Sequence, residues 1–256
     1  NMESSAWINS DISQGKMLDL DGNDDYIAIE NKYYSGQGEI KELSVCALFK
    51  TSFASSSYSS NWAFLDFDRS EYFNFFIHGD GRLGFSTTDS SGKIDDFYSG
   101  GTYNDGEWHF ACAVYDGKDK KIYADGYLAN TKTNAHSGLD LGKGAVVRYG
   151  FIGDGSEASS FNGGRNKQYY DGMIDEVRLY EDALTAELIN ALSSLYNVGC
   201  QPTGTPETIC NGIDDDCDNQ VDEDYQTYAT TCGTGVCERQ GQVTCVNGNE
   251  VDSCSE

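Results

Sequence analysis

EWHFACAVYDGKDKKIYADGYL, residues Glu107–Leu128, contains the pattern that decides the fold of this chain. Trp108–Tyr115 and Lys121–Ala124 are short, largely apolar segments, and an Asp-Gly pair at Asp125 and Gly126 follows the second of them. An Asp-Gly pair supplies the two positive φ angles that a type I′ hairpin turn requires. The stretch therefore predicts short antiparallel strands that are joined by tight turns.

The same pattern extends from residue 16 to residue 180. Segments of alternating character are separated by Gly, Asn, Asp and Ser, and a second pair, Asp80-Gly81, predicts another type I′ hairpin. Strands this short and this regularly spaced predict a sandwich or barrel rather than βαβ units. The other predicted strands are Lys16–Leu20, Tyr26–Glu30, Leu43–Thr51, Ala63–Phe67, Phe73–His78, Leu83–Thr87, Val146–Ile152 and Ile174–Tyr180.

One helix is predicted, at Thr185–Tyr196, where apolar residues recur at helical spacing and Thr185 can cap the first turn. After it the composition changes, because both prolines of the chain lie within residues 200–208. The last ~50 residues contain too few apolar side chains for a core, so disulfides and metal must hold them. This organisation predicts a domain of residues 1–199, a linker of 200–208 and a Cys-rich module of 209–256.

Charge and cysteine content restrict the partners and the compartment. The net charge of −25 argues against nucleic acid and against anionic membrane surfaces, since phosphate groups require the opposite sign. No apolar run approaches the ~20 residues of a membrane span, so membrane insertion is not expected. Nine cysteines favour disulfides in an oxidising compartment, which predicts a secreted, extracellular or cell-surface protein.

The stretch C-N-G-I-D-D-D-C-D-N-Q-V-D-E-D (Cys210–Asp224) predicts a calcium site. In the EF-hand loop, a bidentate Glu closes position 12, but Tyr225 stands there in this chain, so Glu223 or Asp224 must complete the shell. A solvated acidic linker is the alternative, and the alternation of Asp between cysteines favours Ca²⁺. The ligands at positions 1, 3, 5, 7 and 9 are Asp214, Asp216, Asp218, the backbone carbonyl of Gln220, and Asp222.

Five segments resemble, in the right order, the laminin G-like/pentraxin domain, a concanavalin A-like jelly roll. The resemblance covers about three quarters of the chain and implies an all-β jelly-roll sandwich. The composition of the remaining residues adds to it a small disulfide- and calcium-stabilised C-terminal appendix. It also implies a disulfide between Cys46 and Cys112, with two buried free thiols as the alternative. The segments are L-D-L-D-G-N-D-D-Y-I-A-I (Leu18–Ile29), L-S-V-C-A-L-F-K-T (Leu43–Thr51), E-W-H-F-A-C-A-V-Y-D-G (Glu107–Gly117), I-Y-A-D-G-Y-L (Ile122–Leu128) and D-G-M-I-D-E-V-R-L-Y (Asp171–Tyr180).

The region from Cys210 onward resembles the MopE-like metal-binding motif of bacterial surface proteins, and Cys232–Cys254 matches the cysteine-rich segment that follows it. We expect Cys210 to pair with Cys217, which leaves Cys200 without a local partner. Two further local bridges, whose connectivity the sequence does not define, are expected among Cys232, Cys237, Cys245 and Cys254.

Two further calcium sites are considered in the jelly roll. The pentraxin-type double site would use carboxylates such as Glu71, Asp154 and Glu157, but the run of amide and acidic ligands typical of pentraxins is absent. A separate structural Ca²⁺ site is predicted where turns and strand ends meet, with surface turn aspartates as the alternative. Its ligands would be Asp21, Asp25, Asp171 and Asp175.

Catalysis is not expected. Glycoside hydrolases of this fold place two acids on one face of a strand, whereas Asp175 and Glu176 are adjacent and point to opposite faces. No Ser/His/Asp order, HExxH sequence or glycine-rich phosphate loop occurs.

The leading interpretation is a non-enzymatic, extracellular, structural or adhesive calcium-binding module of a microbial surface protein. The alternative is a carbohydrate-binding lectin module for surface polysaccharide, in which aromatic rings beside loops stack on sugars. The ordinary role of such rings in a β-sandwich is core packing. The candidate rings are Trp62, Tyr72, Phe73, Phe75, Tyr98, Tyr103, Tyr169 and Tyr170.

The start of the chain suggests self-assembly. Laminin G-like domains usually begin with a strand upstream of the N-M-x-x-x-x-W segment, and that strand pairs near the final strand Ile174–Tyr180; Asn1 starts after it. An open edge there would invite another copy of the chain, and head-to-tail repetition would build a filament. A chain that simply lacks its first residues is the alternative.

Overall fold

Alternating apolar and polar residues give each strand two faces, and two sheets bury their apolar faces against each other. The computed structural model describes residues 7–9, 15–33, 40–54, 61–144, 146–196, 198, 208–210, 222–233, 235–246 and 248–254. The chain forms two compact units, residues 1–198 and residues 199–256. The first unit is the expected all-β jelly-roll sandwich.

The sandwich consists of a seven-stranded and a six-stranded sheet, in which all strand pairs are antiparallel. The seven-stranded sheet has the spatial order β1 (Trp7–Asn9), β2 (Lys16–Asp21), β13 (Asp171–Tyr180), β4 (Leu43–Lys50), β9 (Trp108–Tyr115), β10 (Lys120–Ala124) and β11 (Tyr127–Lys132). The six-stranded sheet has the order β3 (Ile27–Tyr33), β12 (Arg148–Ile152), β5 (Asn61–Asp66), β6 (Phe73–His78), β7 (Arg82–Thr88) and β8 (Ile94–Thr102).

The edge of the seven-stranded sheet differs from the expectation. Strand β13 lies between β2 and β4, and β1 forms the edge among the strands that the structure describes. The final strand of the jelly roll therefore does not present the open edge on which the filament prediction was based.

The main core lies between the two sheets. Aromatic side chains from both sheets pack there, including Phe49 of β4 and Phe64 of β5, whose ring centroids are 4.6 Å apart. Phe73, Phe75 and Ile77 of β6 also point into this core. The residues between them, beginning with Asn74, therefore lie on the outer face of the six-stranded sheet.

A second apolar cluster covers the outer face of the seven-stranded sheet. Cys46 of β4 and Cys112 of β9 lie directly opposite each other and form a disulfide, the pairing that the resemblance implies. The helix α1 (Ala186–Ser194) packs over this face through buried Ile189. Thr185 caps the helix as expected, since its hydroxyl oxygen accepts from the N–H of Leu188 at 3.3 Å.

The two Asp-Gly turns differ from each other. Asp125 and Gly126 both have positive φ, 54° and 83°, as the type I′ prediction requires. At the other turn, Gly81 has a φ of 88° but Asp80 is not among the positive-φ residues, so the type I′ prediction is wrong there. The N–H of Gly81 donates to the carbonyl of His78 at 2.8 Å, which closes a four-residue turn that ends in a left-handed glycine.

The second unit contains a three-stranded antiparallel sheet in the order β14 (Tyr228–Cys232), β15 (Arg239–Val246) and β16 (Asn249–Asp252). Of its described residues, Val243 and Cys254 are the buried ones. So small a core cannot hold the described part of this unit alone, which leaves that role to the covalent bridges within it.

The disulfide connectivity of this unit corrects two expectations. Cys210 pairs with Cys245 and not with Cys217, and Cys232 pairs with Cys254. Cys237 is free and exposed, so the four C-terminal cysteines do not form two bridges among themselves. Cys200 and Cys217 lie outside the described residues.

Among the described residues, no helix has the length and apolar character needed to span a membrane.

Candidate functional site

A row of polar residues crosses four adjacent strands on the outer face of the six-stranded sheet. Asp66 of β5 lies opposite Asn74 of β6. Asn74 in turn lies opposite Ser86 of β7, and Ser86 lies opposite Asp96 of β8. The register of the antiparallel ladder thus aligns two carboxyl groups, an amide and a hydroxyl across the sheet.

Two atoms in this row lack hydrogen-bond partners. Asn74 and Ser86 are buried, yet Asn74 Oδ1 and Ser86 Oγ bond to nothing among the described residues. Buried polar atoms in folded proteins are nearly always satisfied by protein or by ordered water. Asn74 lines the cleft described below, whereas Ser86 is fully buried and does not, so of the two atoms Asn74 Oδ1 is the one beside a space that a ligand can enter.

A cleft of about 420 Å³ opens above the Asp66–Asn74 end of the row. Its walls contain acidic, basic, amide and hydroxyl groups and a single apolar side chain, Ile94. The other lining residues are Asp66, Asp68, Arg69, Ser70, Asn74, Gly155, Ser156, Glu157, Asn166 and Gln168.

Asp66 is the most strongly perturbed acid of the cleft. Burial raises its pKa to about 7, and the neighbouring Asp68 carboxylate acts in the same direction. Asp66 Oδ1 accepts from the backbone N–H of Asp68 at 2.5 Å, and Oδ2 accepts from Asn74 Nδ2 at 3.2 Å, which partly offsets the cost of burying the charge. The carboxyl group therefore changes its charge near neutral pH.

The loop between β12 and β13 forms one wall of the cleft. Buried Asp154 shapes this loop, since its Oδ1 accepts from the N–H groups of Gly155 at 2.7 Å and Gln168 at 3.0 Å. The N–H of Asn166 donates to the carbonyl of Gly155, and a Cβ at position 155 would lie 2.3 Å from the Asn166 amide nitrogen. A side chain at position 155 would displace that of Asn166, so glycine here allows the Asn166 amide to lie at the cleft, while the bond to Asp154 positions Gln168.

An aromatic shelf lies on the same sheet face, two residues further along the strands. Phe76 of β6, Gly84 of β7 and Tyr98 of β8 lie opposite one another in order. The Phe76 and Tyr98 ring centroids are 6.0 Å apart, and the Arg82 guanidinium lies 4.7 Å from the centre of the half-buried Tyr98 ring. We define Phe76, Gly84, Tyr98 and Arg82 as the aromatic shelf.

The aromatic residues proposed from the sequence are mostly core residues. Tyr72, Phe73, Phe75 and Tyr170 are at most 1% exposed and Trp62 is 8% exposed, so these rings do not face a ligand. Tyr98 is the member of that set that lies on the shelf. The sequence prediction missed Asn74, Ser86 and the amides of Asn166 and Gln168. The regular alternation of β6 gave a signal for Asn74 alone.

The pentraxin-type calcium ligands do not fit a metal in this structure. Glu71 lies 3.9 Å from the guanidinium of Arg148 and 3.5 Å from the Lys143 ammonium. Asp154 Oδ2 lies 3.5 Å from Nε of Arg165. Because cationic side chains already face these two carboxylates, a divalent cation would be repelled at short range.

The second calcium site predicted in the jelly roll is brought together only in part. Asp21 and Asp171 lie opposite each other on β2 and β13. Burial and the Asp21 carboxylate raise the pKa of Asp25. Asp175 lies four residues further along β13, and its Oδ1 accepts from the N–H of Glu176. Among the described residues, no three of these four carboxylates form a metal-sized group.

The calcium loop of the appendix is described only at its end. Asp214, Asp216, Asp218 and Gln220 lie outside the described residues, and Asp222, Glu223 and Asp224 lie within them. Asp222 has a φ of 59°, and its Oδ2 is 3.2 Å from Cys245 Sγ. Cys210, Asp222 and Cys245 offer three ligand-type atoms within 4.8 Å of one another. Because the two sulfurs are joined in a disulfide, they are not thiolate ligands, and Asp222 is the one residue of this group that offers a metal a carboxylate oxygen.

One buried cluster has the arrangement of a catalytic triad without its accessibility. Thr87 Oγ1 lies 2.7 Å from His136 Nε2, and His136 Nδ1 lies 3.1 Å from Asp89 Oδ2. All three residues are at most 1% exposed, and burial lowers the pKa of His136. No substrate can reach a hydroxyl in this position, so the cluster stabilises the fold and does not support hydrolysis.

The fold is that of a concanavalin A-like sandwich. The family model described as the concanavalin A-like lectin/glucanases superfamily matches residues 21–190, and the chain belongs to that family. A search of curated proteins finds no match to this chain.

Solved structures with the same fold are distant in sequence. A heptameric SAP-like pentraxin from Limulus polyphemus is 17% identical, with a TM-score of 0.50 over 69% of this chain and 80% of that one. The binding domain of Paraclostridial Mosquitocidal Protein 1 is 12% identical, with a TM-score of 0.56 over 95% of this chain and 58% of that one. The ligand binding domain of botulinum neurotoxin serotype D, in complex with N-acetylneuraminic acid, is 13% identical, with a TM-score of 0.51 over 75% and 45%. This chain thus spans about half the length of the toxin domains, and the similarity shows the fold alone.

Proposed function

We propose that this chain is a non-enzymatic carbohydrate-binding module of an extracellular or cell-surface microbial protein, with the cleft and the aromatic shelf as its binding surface. The observation that carries the proposal is the part of the polar row that lines the cleft, where the buried carboxyl group of Asp66 lies beside Asn74 and its unsatisfied Oδ1. Sugar hydroxyl groups donate and accept hydrogen bonds, and they match such a mixed row.

The shelf supports the same class of ligand. The apolar face of a pyranose packs on aromatic rings, and Tyr98 presents part of its ring on the outer face. Arg69 and Asp96, which pair at 3.0 Å beside the cleft, add charge-assisted hydrogen-bond groups at its rim. The cleft lining contains three acidic residues, Asp66, Asp68 and Glu157, against one basic residue, Arg69, which favours a neutral polysaccharide over a polyanion.

Adhesion and calcium binding complete the proposal. Polysaccharide binding by the jelly roll would attach the protein to a surface, which supports the adhesive role expected from the sequence. We propose Ca²⁺ as the ion of the appendix, bound by oxygen atoms of the loop that ends at Asp222–Asp224. Assembly into a filament stays a prediction, and light scattering in Ca²⁺ buffer tests it.

Glycan-array and polysaccharide pull-down binding of the full chain test the carbohydrate proposal. We expect binding to at least one neutral polysaccharide and a loss of about tenfold or more for Tyr98→Ala and for Asn74→Ala, each of which removes a contact worth on the order of 1.5 kcal/mol. Tyr127→Ala is the matched control, because Tyr127 is 59% exposed on β11 of the other sheet. Equal effects of Tyr98→Ala and Tyr127→Ala, or no glycan bound by the wild type, would contradict the assignment.

A further inference from the structure

Arg148 connects two elements that border the cleft. It extends from β12, and its Nε lies 2.6 Å from Asp68 Oδ2 in the β5–β6 loop. The Arg148 side chain is 14% exposed and that of Asp68 is 2% exposed, so the ion pair is largely removed from water. The same guanidinium lies 3.9 Å from Glu71.

The β5–β6 loop is wound around Asp68. Its Oδ1 accepts from the backbone N–H and the hydroxyl of Ser70, at 2.9 and 2.5 Å. Its carbonyl accepts from the N–H groups of Glu71 and Tyr72, and its own φ is 65°. Asp68 thus lies at the centre of this short loop with a left-handed backbone conformation and a buried carboxylate. A buried carboxylate needs a positive charge beside it, and Arg148 supplies that charge.

Arg165 has the equivalent place at the β12–β13 loop. Its Nε faces the fully buried Asp154 at 3.5 Å, and its Nη1 donates to Tyr26 Oη at 2.9 Å and Asn162 Oδ1 at 3.1 Å. The guanidinium also lies 4.1 Å from the centre of the Tyr26 ring. Each cleft loop is therefore built around one buried aspartate that faces one arginine.

We infer that Arg148 and Arg165 replace a bound cation in this domain, so that the jelly roll orders its cleft loops without Ca²⁺. A guanidinium is always protonated and is directional, and it therefore fixes these loops at any calcium concentration. Ligand binding in the cleft would be independent of calcium as well, a corollary that rests on the proposed function.

Hydrogen-exchange mass spectrometry of the full chain tests this inference, with peptides that cover residues 61–88 and 146–170. In the wild type, we expect equal protection of these peptides in EDTA and in millimolar Ca²⁺. In Arg148→Met, the uncompensated Asp68 and Glu71 carboxylates should reduce protection roughly 100-fold in EDTA, since breaking a buried ion pair costs about 3 kcal/mol or more. Millimolar Ca²⁺ should restore part of that protection, because the variant leaves acidic oxygens for the ion to bind.

Arg69→Met is the matched control, since Arg69 forms a similar pair with Asp96 but both side chains are at least 38% exposed. It should change protection little and gain no calcium response. Arg148→Lys keeps the positive charge but not the planar guanidinium, and it should fold and show no calcium response. This variant keeps the test decisive if Arg148→Met fails to fold. Calcium-dependent protection of these peptides in the wild type, or in Arg148→Lys, would overturn the inference. The readout needs no glycan, so its outcome is separate from that of the carbohydrate assignment.

Discussion

At the scale of single residues, buried ionisable groups define this jelly roll. Asp66 is ionisable near neutral pH because burial raises its pKa. Lys120 is fully buried, and burial lowers its pKa to about 8, although its Nζ donates to the carbonyls of Phe85 at 2.7 Å and Asp95 at 2.8 Å. The first of these groups lies at the cleft and the second packs between the sheets. A change of pH near neutrality therefore alters the charge of the candidate site through Asp66 and the charge of the core through Lys120.

Asp66→Asn should stabilise the protein at neutral and alkaline pH. The folded-state pKa of Asp66, about 7, exceeds the ordinary aspartate value of 3.8, so its contribution to stability is complete below pH 3.8 and is lost as the pH rises through 7. The loss amounts to roughly 4 kcal/mol. An amide at this position cannot ionise, and once the Asn74 amide turns over, the new amide nitrogen donates to Asn74 Oδ1 in place of the present bond from Asn74 Nδ2.

Urea unfolding between pH 4 and pH 8 measures this effect. The difference in free energy of unfolding between variant and wild type should grow with pH and level off above pH 7. Asp96→Asn is the control, because Asp96 is 38% exposed, and its difference should stay small at every pH. A constant difference for Asp66→Asn across the range would show that Asp66 does not titrate in this window.

The sequence could not identify the polar row at this scale. The strand F-N-F-F-I-H (Phe73–His78) shows that Asn74 lies on the face opposite its phenylalanine neighbours. It does not show that Asp66, Ser86 and Asp96 lie opposite it in register, because strand register depends on turns and bulges in three hairpins. The candidate site thus depends on non-local pairing that local patterns do not encode.

At the scale of elements, the close contact of β6 and β7 forms the shelf. A Cβ on Gly84 would lie 2.2 Å from the Phe76 ring, so glycine is required for the ring to lie flat across β7. Gly84 is not among the positive-φ residues, and its role is therefore spatial and not conformational.

Gly84→Ala should lift Phe76 from the sheet and cost about 1–3 kcal/mol, the usual cost of overpacking. It should also reduce glycan binding, since the Tyr98 ring packs edge-on against Phe76. Thermal unfolding and the pull-down assay measure the two effects. Gly164→Ala is the matched control, because the nearest atoms to its Cβ would be at an ordinary 3.6 Å. Similar melting temperatures for the two variants would show that Phe76 can move at little cost.

Most strands and the helix could be predicted because their patterns are local. The Asp125-Gly126 hairpin is one example, since the turn residues alone specify its geometry. Strand β8 (Ile94–Thr102) was missed because Asp95, Asp96, Gly100 and Gly101 are unfavourable in strands, and pairing with β7 overrides this propensity.

At the scale of the whole molecule, the two units are stabilised by different means. The jelly roll buries a large core between two sheets, whereas the described part of the appendix relies on the Cys210–Cys245 and Cys232–Cys254 bridges. The sequence indicated this contrast through composition, but not the connectivity. Cys217 is nearer to Cys210 in sequence, yet the three-stranded sheet brings Cys245 of β15 within a Cα–Cα distance of 5.5 Å.

Removal of calcium should therefore affect the two units differently. The appendix has a predicted ion that several carboxylates share, and without it Asp214, Asp216, Asp218 and Asp222 repel one another. Binding energy then acts as folding energy, so EDTA should open residues 211–224 to protease and to fast amide exchange. The jelly roll should keep its exchange protection, since Arg148 and Arg165 neutralise its cleft loops.

Asp216→Asn combined with Asp218→Asn provides the matched variant, because it lowers the charge of the loop while nearly conserving volume. It should weaken Ca²⁺ affinity in a calorimetric titration by about tenfold or more per lost carboxylate, in line with the dependence of loop affinity on ligand charge. The variant should also become protease-sensitive at a lower EDTA concentration, while the amount of polysaccharide pulled down remains unchanged. Identical proteolysis of residues 205–256 with and without EDTA would exclude an ion with a structural role in the appendix. It would leave the two disulfides and the three-stranded sheet as the means by which this unit is held together.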